Sequence, residues 1–340
     1  MSKTIFVVDD SDTNLSIAEE ALEEHYRIIT LPSAEKMFKL SEKITPDLIL
    51  LDIEMPEMNG FQALQYLKSN DSLAHVPVIF LTSKADAETE VRGFELGVID
   101  FITKPFSAPV LLNRIRTHLN IDDLIRERTA QLEQLQSAIV YILADIVESR
   151  DKETGGHIER TSAYMKILID GMITRGLYTD EINKINLDLL ISSARLHDVG
   201  KITIPDGILN KSDSLTREEF ETMKTHTTEG ERIIDKIIYR TGSEESFLQN
   251  ARLFASYHHE CWDGSGYPNG LKGTEIPLQG RIMAIVDVYD ALVSKRSYKK
   301  PFTEEEAVSI IMNNADKKFD PLIADVFFEV KDQFSTIKRD

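Results

Sequence analysis

RLHDVGKITIPDGI, residues 195–208, sets His197 and Asp198 side by side, and HHECWDGSGYP, residues 258–268, answers it with His258 and His259. Adjacent imidazoles and carboxylates are poor core material, because each one taken out of water needs a partner. A cluster of divalent cations satisfies all of them at once. A lone His-Asp pair would read as a polar loop, but further ligand candidates recur along the chain. They are Glu153 and His157 in KETGGHIERT, His226 in MKTHTTEG, and Asp287 and Asp290 in RIMAIVDVYDAL. Imidazole suits Fe, Mn, Ni, Co and Zn, and bridging carboxylates suit clusters of two or more ions. Cys261 is the single cysteine, so thiolates are not the main ligands. Asp287 and Asp290 lie three apart in an apolar helical run and so share one helix face.

Such a cluster fits the hydrolysis of a phosphodiester, which is anionic and resists water. Two metals lower the pKa of a shared water and neutralise charge on the phosphoryl oxygens. Lys201 follows the His-Asp pair by one short turn and can hold a phosphate; Arg296 and Lys299 can do the same or serve as solvated surface charge. Gly264, Gly266 and Pro268 punctuate a loop that lets backbone come close to a ligand or partner. Tyr267 in that loop is open to two readings, stacking on a base or ordinary packing.

From about residue 152 to 320 the chain resembles the HD-GYP family, metal-dependent phosphodiesterases that hydrolyse the bacterial messenger cyclic di-GMP. HDVGK, IPDGIL, LTREEFETMKTH, HHECWDGSGYPNGLKGTEIPL, RIMAIVDVYDAL and the FDP at 319–321 carry the resemblance, in order and spacing. It implies metal ligands at Glu153, His157, His197, Asp198, His226, His258, His259 and Asp287, with Asp198 bridging two ions. Glu153 and His157 are the extra pair that a third ion would need. Asp290 would bond a metal-bridging water, Lys201 would hold a substrate phosphate, and Tyr267, Arg296 and Lys299 would contact the dinucleotide. Three departures from the family pattern bear on substrate-loop geometry and remove no ligand. They are Cys261 where Arg is common, KSDSL at 211–215 in place of a Pro-Gly turn, and Ser297 where Pro is common.

The N-terminal third follows a different rhythm. Short apolar runs at 5–8, 28–31, 48–51, 78–81 and 99–102 alternate with amphipathic helical stretches, which predicts an α/β doubly wound domain on a five-stranded parallel sheet. Ligands of such sheets bind at the carboxyl ends of strands. Asp9 and Asp10 follow the first run, Asp52 the third, Thr82 the fourth and Lys104 the fifth. Acids gathered there would hold Mg²⁺ through oxygen and could place a phosphoryl group on Asp52, with Lys104 and Thr82 on its oxygens. VVDD, LDIEMPEMNG, FLTS and DFITKPF resemble the receiver domain of two-component response regulators over about residues 3–119. The resemblance implies Asp52 as phosphoacceptor, a Mg²⁺ site of Asp9, Asp10, Asp52 and the Glu54 carbonyl, and Thr82 and Phe101 as the switch pair.

Residues 120–151 contain neither Gly nor Pro, and Ile125, Leu132, Leu135, Ile139, Ile142 and Ile146 follow a seven-residue repeat with Arg128 at one seam position. This predicts a continuous helix that pairs with its copy in a homodimer and whose second half packs on the following domain. Strand-like patterning then disappears, so the second domain reads as all-α. The expected division is a receiver at 1–120, a linker helix at 121–149 and a metal-dependent phosphohydrolase at 150–340. No apolar run approaches the roughly 20 residues that span a bilayer, and one cysteine fits a reducing cytoplasm. A net charge of −18 argues against nucleic-acid binding, while local metal charge still admits a small anionic substrate. The expected partners are cyclic di-GMP, a sensor histidine kinase and GGDEF-domain proteins. Two alternatives stand beside hydrolysis of cyclic di-GMP: a phosphohydrolase acting on another nucleotide, and a catalytically idle effector that binds the dinucleotide or a GGDEF protein.

Overall fold

The computed structural model describes residues 2–83, 87–150, 156–242, 246–294 and 300–338. The chain divides into two compact units, residues 1–132 and 133–340.

In the first unit β1 (Thr4–Val8), β2 (Arg27–Leu31), β3 (Leu48–Asp52), β4 (Val78–Thr82) and β5 (Asp100–Thr103) alternate with α1 (Asp12–Leu22), α2 (Ala34–Ser41), α3 (Gly60–Ser69) and α4 (Ala87–Glu95). All strand pairs are parallel, in the order β2-β1-β3-β4-β5. Every residue of β1, β3 and β4 is buried, as uninterrupted Val, Ile and Leu runs require when helices cover both sheet faces. One apolar layer gathers Phe6, Ile49 and Phe80 with α3, and the other gathers Ile5, Leu50 and Ile79 with Leu111 and Ile115. The expected last strand began at Ile99, but β5 begins at Asp100, a one-residue fray at an element end. The register sets Asp52 beside Leu81 and Thr82 beside Thr103, so the strand-end polar residues share one rim of the sheet.

Helix α5 runs unbroken from Ala108 to Arg150, as the absence of Gly and Pro predicts. Its second half buries Val140, Ala144 and Val147. The seam residues Leu132, Leu135, Ile139, Ile142 and Ile146 are exposed, between 48% and 66%.

The second unit is helical: α6 (His157–Thr174), α7 (Thr179–Ile182), α8 (Leu187–Ala194), a 3₁₀ turn (Val199–Thr203), α9 (Asp206–Leu209) and α10 (Arg217–Thr241), then α11 (Ser246–Tyr257), α12 (Leu278–Val293), α13 (Glu304–Met312) and α14 (Pro321–Phe334). Tyr164, Tyr289, Phe327 and Phe334 form its aromatic centre. The FDP triplet is structural. Phe319 is buried, Asp320 caps α14 by accepting from Leu322 N–H at 2.9 Å, and Pro321 opens that helix. Asp320 also meets the buried Arg281 at 3.0 Å and accepts from the Tyr178 hydroxyl at 2.7 Å. The 3₁₀ turn meets α10 through main chain at Gly200. A Cβ on Gly200 would lie 1.9 Å from the His226 carbonyl oxygen and 2.5 Å from Gly230 N, so only glycine fits there. Among the described residues no helix is long and apolar enough to cross a membrane.

Candidate metal centre and phosphoacceptor site

Four helices of the second unit and the turn after α8 deliver the predicted ligands among the described residues to one place. His157 opens α6, His197 and Asp198 precede the 3₁₀ turn, His226 lies in α10, His258 and His259 follow α11, and α12 carries Asp287 and Asp290. The ligand atoms of His226, His258 and His259 lie within 4.8 Å of one another, and so do those of His157, His197 and Asp198.

The tautomers follow from the hydrogen bonds. Nδ1 of His197, His226 and His258 meets the carbonyl oxygens of Ala194, Met223 and Phe254 at 2.9, 2.7 and 2.8 Å. A carbonyl only accepts, so each Nδ1 carries the proton and each Nε2 turns a lone pair inward. His226 and His258 then face each other Nε2 to Nε2 at 3.3 Å, and His157 and His197 do so at 3.5 Å. Asp198 stands between the pairs. Its Oδ2 is 3.3 Å from His197 Nε2 and 2.8 Å from Lys201 Nζ; its Oδ1 is 3.5 Å from His226 Nε2 and 3.7 Å from His258 Nε2. Oδ1 is buried and has no hydrogen-bond partner. Lone pairs facing lone pairs around an orphaned carboxylate oxygen lack a cation, and imidazole with carboxylate is a donor set for divalent transition metals.

The charges agree. Against the cost of burial, Lys201 and His197 hold Asp198 well below the usual carboxylate range. Burial, opposed by Asp198, pushes His226 down to about 4. Burial together with His258 and His226 pushes His259 well below its ordinary value. Both histidines are thus kept neutral, the form that ligates.

Some expectations are revised. Asp290 was assigned to a metal-bridging water, but it lies behind His157. Its Oδ2 accepts from His157 Nδ1 at 2.7 Å, and Arg160 grips both its oxygens at 2.7 and 3.0 Å. Asp287 lies on the inner side, with Oδ1 3.7 Å from His157 Nε2. Tyr267 packs its ring on His259, with centroids 4.9 Å apart and 32° between planes, which favours packing over a free stacking platform. Glu153, Arg296 and Lys299, and with them Ser297, lie outside the described residues.

The supporting residues escaped the sequence reading. Arg160 follows His157 by three on one helix face, a spacing that could have flagged it. Glu260 is 2% exposed and accepts the N–H groups of Asn269 and Leu271 at 2.7 and 3.0 Å, closing the loop that bears Tyr267. That loop folds back so tightly that a Cβ on Gly266 would lie 2.2 Å from Cys261 N.

In the first unit Asp9, Asp10 and Asp52 present carboxylate oxygens within 4.8 Å of one another. Lys104 Nζ reaches Asp9 at 2.6 Å and Asp52 at 2.8 Å. Asn14, not foreseen, donates to Asp9 at 3.0 Å. Glu54 N–H donates to Asp52 at 3.4 Å. Burial, opposed by Lys104, raises Asp52 above the usual range. Oxygen-only acids at a strand-end rim fit a hard cation such as Mg²⁺. Thr82 is buried on the neighbouring strand end, and Phe101 packs edge-on to Phe80 and Phe94 at 5.6 and 5.1 Å.

Residues 141–323, more than half of the chain, match the HD domain family, and residues 5–116 match the response regulator receiver domain. This chain belongs to the HD-domain family and carries a response regulator receiver domain. A probable cyclic di-GMP phosphodiesterase of Vibrio cholerae serotype O1 is 40% identical over 350 residues, covering 99% of this chain and 79% of that protein. A cyclic di-GMP phosphodiesterase of Thermotoga maritima is 33% identical over 363 residues, covering 99% and 92%. The cyclic di-GMP phosphodiesterase response regulator RpfG of Xanthomonas campestris pv. campestris is 34% identical over 306 residues, covering 86% and 77%.

Proposed function

We propose that this HD-domain response regulator is a metal-dependent cyclic di-GMP phosphodiesterase controlled by phosphorylation of Asp52. The observation that carries the reading is the Asp198 carboxylate set between two groups of inward-facing imidazole nitrogens; the names of the relatives supply the substrate. Asp198 would be shared between two ions, with His197, His157 and Asp287 available to one and His226, His258 and His259 to the other. When bound, the ions lower the pKa of water and neutralise charge on the phosphoryl oxygens. Lys201 offers its ammonium to a substrate phosphate beside Asp198. Asp290 fixes the ring of His157, and Arg160 keeps Asp290 ionised. Were a third ion bound, Glu153 and His157 would supply its extra pair, His157 Nε2 then serving that ion and not the first. In the receiver, Asp9, Asp10, Asp52 and the Glu54 carbonyl hold Mg²⁺, a sensor kinase supplies the phosphoryl group, and Lys104 with Thr82 and Phe101 registers it. The exposed seam of α5 pairs two copies.

The test is the full-length protein loaded anaerobically with Fe²⁺ or Mn²⁺ and given cyclic di-GMP. Release of pGpG or GMP that Asp198→Ala abolishes is the expected result. Binding without product identifies an idle effector, and faster turnover of a different cyclic dinucleotide identifies another substrate. Elemental analysis near two or three ions per chain is expected; one or none refutes the bridged site.

A further inference from the structure

Arg150 is the last residue of α5, and its partly buried guanidinium turns back onto neighbouring main chain. It donates to the carbonyl oxygens of Lys201 at 3.3 Å, Ile202 at 2.7 Å and Ile204 at 3.0 Å, and pairs with Asp206 at 2.7 Å. Those carbonyls end the 3₁₀ turn that bears Lys201. The Lys201 carbonyl also accepts the Ile204 N–H at 3.1 Å, and a guanidinium's forked donors can hold several carbonyls at once. The turn is therefore held on two sides. Gly200 abuts α10 through backbone, and Arg150 grips the carbonyl edge. Inside the grip, Lys201 N–H donates to the Asp198 carbonyl at 2.9 Å and Lys201 Nζ meets its carboxylate at 2.8 Å.

A second contact sits just before Arg150 on α5. Glu148 accepts the His157 N–H at 2.9 Å. A small cavity of about 20 Å³ has Ala144, Val147 and Glu148 of α5 on one wall and His157, His197 and Asp198 on the other. The end of α5 thus touches the main chain on both sides of the first ligand group.

We infer that Arg150 is a positioning residue for Lys201, and that through it the end of α5 acts as a lever on the Asp198–Lys201 turn. The substrate consequence rests on the phosphodiesterase reading; the clamp does not. Because α5 begins at Ala108, beyond β5, and ends at Arg150, a rotation or axial shift of the helix is delivered to the turn that carries the phosphate-holding lysine.

The experiment uses the full-length protein and two readouts. In hydrogen exchange, the peptide covering residues 199–206 should lose protection in Arg150→Ala and keep part of it in Arg150→Lys, with metal content unchanged in both. Beryllofluoride with Mg²⁺ should alter exchange of that peptide in the wild type and leave Arg150→Ala unmoved. In kinetics, Arg150→Ala should raise KM about tenfold, the lower end expected for a supporting residue, with less effect on kcat. Adding it to Lys201→Ala should change nothing further, since both act through one ammonium. Unchanged exchange in Arg150→Ala, additive losses in the double variant, or a wild-type turn indifferent to beryllofluoride overturns the inference. A wild type that leaves cyclic di-GMP intact refutes the phosphodiesterase reading instead, and the exchange data alone then decide the clamp.

Discussion

Replacing Arg160 with methionine keeps most of the side chain's length and removes its charge. Arg160 is 7% exposed and Asp290 2%, and the guanidinium holds both carboxylate oxygens at 2.7 and 3.0 Å. Stripping a buried carboxylate of its countercharge costs about 3–5 kcal/mol. The second unit contains the chain's single tryptophan, Trp262, so Trp fluorescence follows that unit alone. In urea with a chelator present, so that bound metal does not add to stability, the unfolding midpoint should fall by about 1–2 M for a slope of roughly 2–3 kcal/mol per molar. Asp290 also orients His157, and loss of such a support weakens metal binding about 10–100-fold. The double variant Arg160→Met, Asp290→Leu separates the two effects. With neither charge buried, most of the stability should return, while metal affinity stays low because His157 Nδ1 has lost its acceptor. An Arg160→Met protein that unfolds at the wild-type urea concentration, or a double variant whose loss equals the sum of the singles, refutes the reasoning.

Asp52→Ala should abolish modification by acetyl phosphate or beryllofluoride with Mg²⁺, read by intact-mass measurement; labelling equal to wild type sinks Asp52 as the acceptor. Leu132→Asp with Leu135→Asp puts unpaired charge into the exposed seam of α5 and should halve the mass seen by light scattering, with association weakened by several kcal/mol; an unchanged mass ends the paired-helix proposal. Burial, with the Asp320 carboxylate beside it, pushes the Tyr178 hydroxyl up to about 12. The native state therefore keeps a proton that the unfolded chain releases near 10, and the stability it contributes is full below that pH and lost as pH rises toward 12. The loss should appear as a fall in stability between about pH 10 and pH 12, followed by Trp262 fluorescence, and an equal slope in Tyr178→Phe would assign it to another group.

The proposed ligands were legible because a metal narrows the choice of residue: His197 and Asp198, or His258 and His259, make little sense as neighbours without a cation. The strand ends were legible for a similar reason, since Asp9, Asp10 and Asp52 interrupt runs that are otherwise apolar. The supports were not. Arg150, Arg160 and Glu260 are ordinary charged residues in sequence, and what they do depends on which backbone or carboxylate the fold brings to them. Asp290 shows the same limit from the other side. Its helix face was readable from the three-residue offset to Asp287, but which of the two faces the imidazole cluster and which stands behind His157 is decided by Arg160, on a helix more than a hundred residues away in the chain. The division of labour along α5 was likewise hidden, because Val140, Ala144 and Val147 are no more apolar than the exposed isoleucines beside them.

The abutment of Gly200 on α10 has a consequence for how such a protein can change. The distance between the Asp198 turn and the His226 turn is set by main chain, the His226 carbonyl on one side and the bare α-carbon of Gly200 on the other. On the proposed function, exchanging Asp198 or His226 for another residue would disarm the hydrolase and leave that spacing intact. Adding one methyl group at position 200 would do the reverse, prying the turns apart with every ligand still in the sequence. Catalytic silence and architectural collapse are thus reached by separate routes, and a descendant that stopped cutting its substrate would still present the same surface to whatever had learned to bind it.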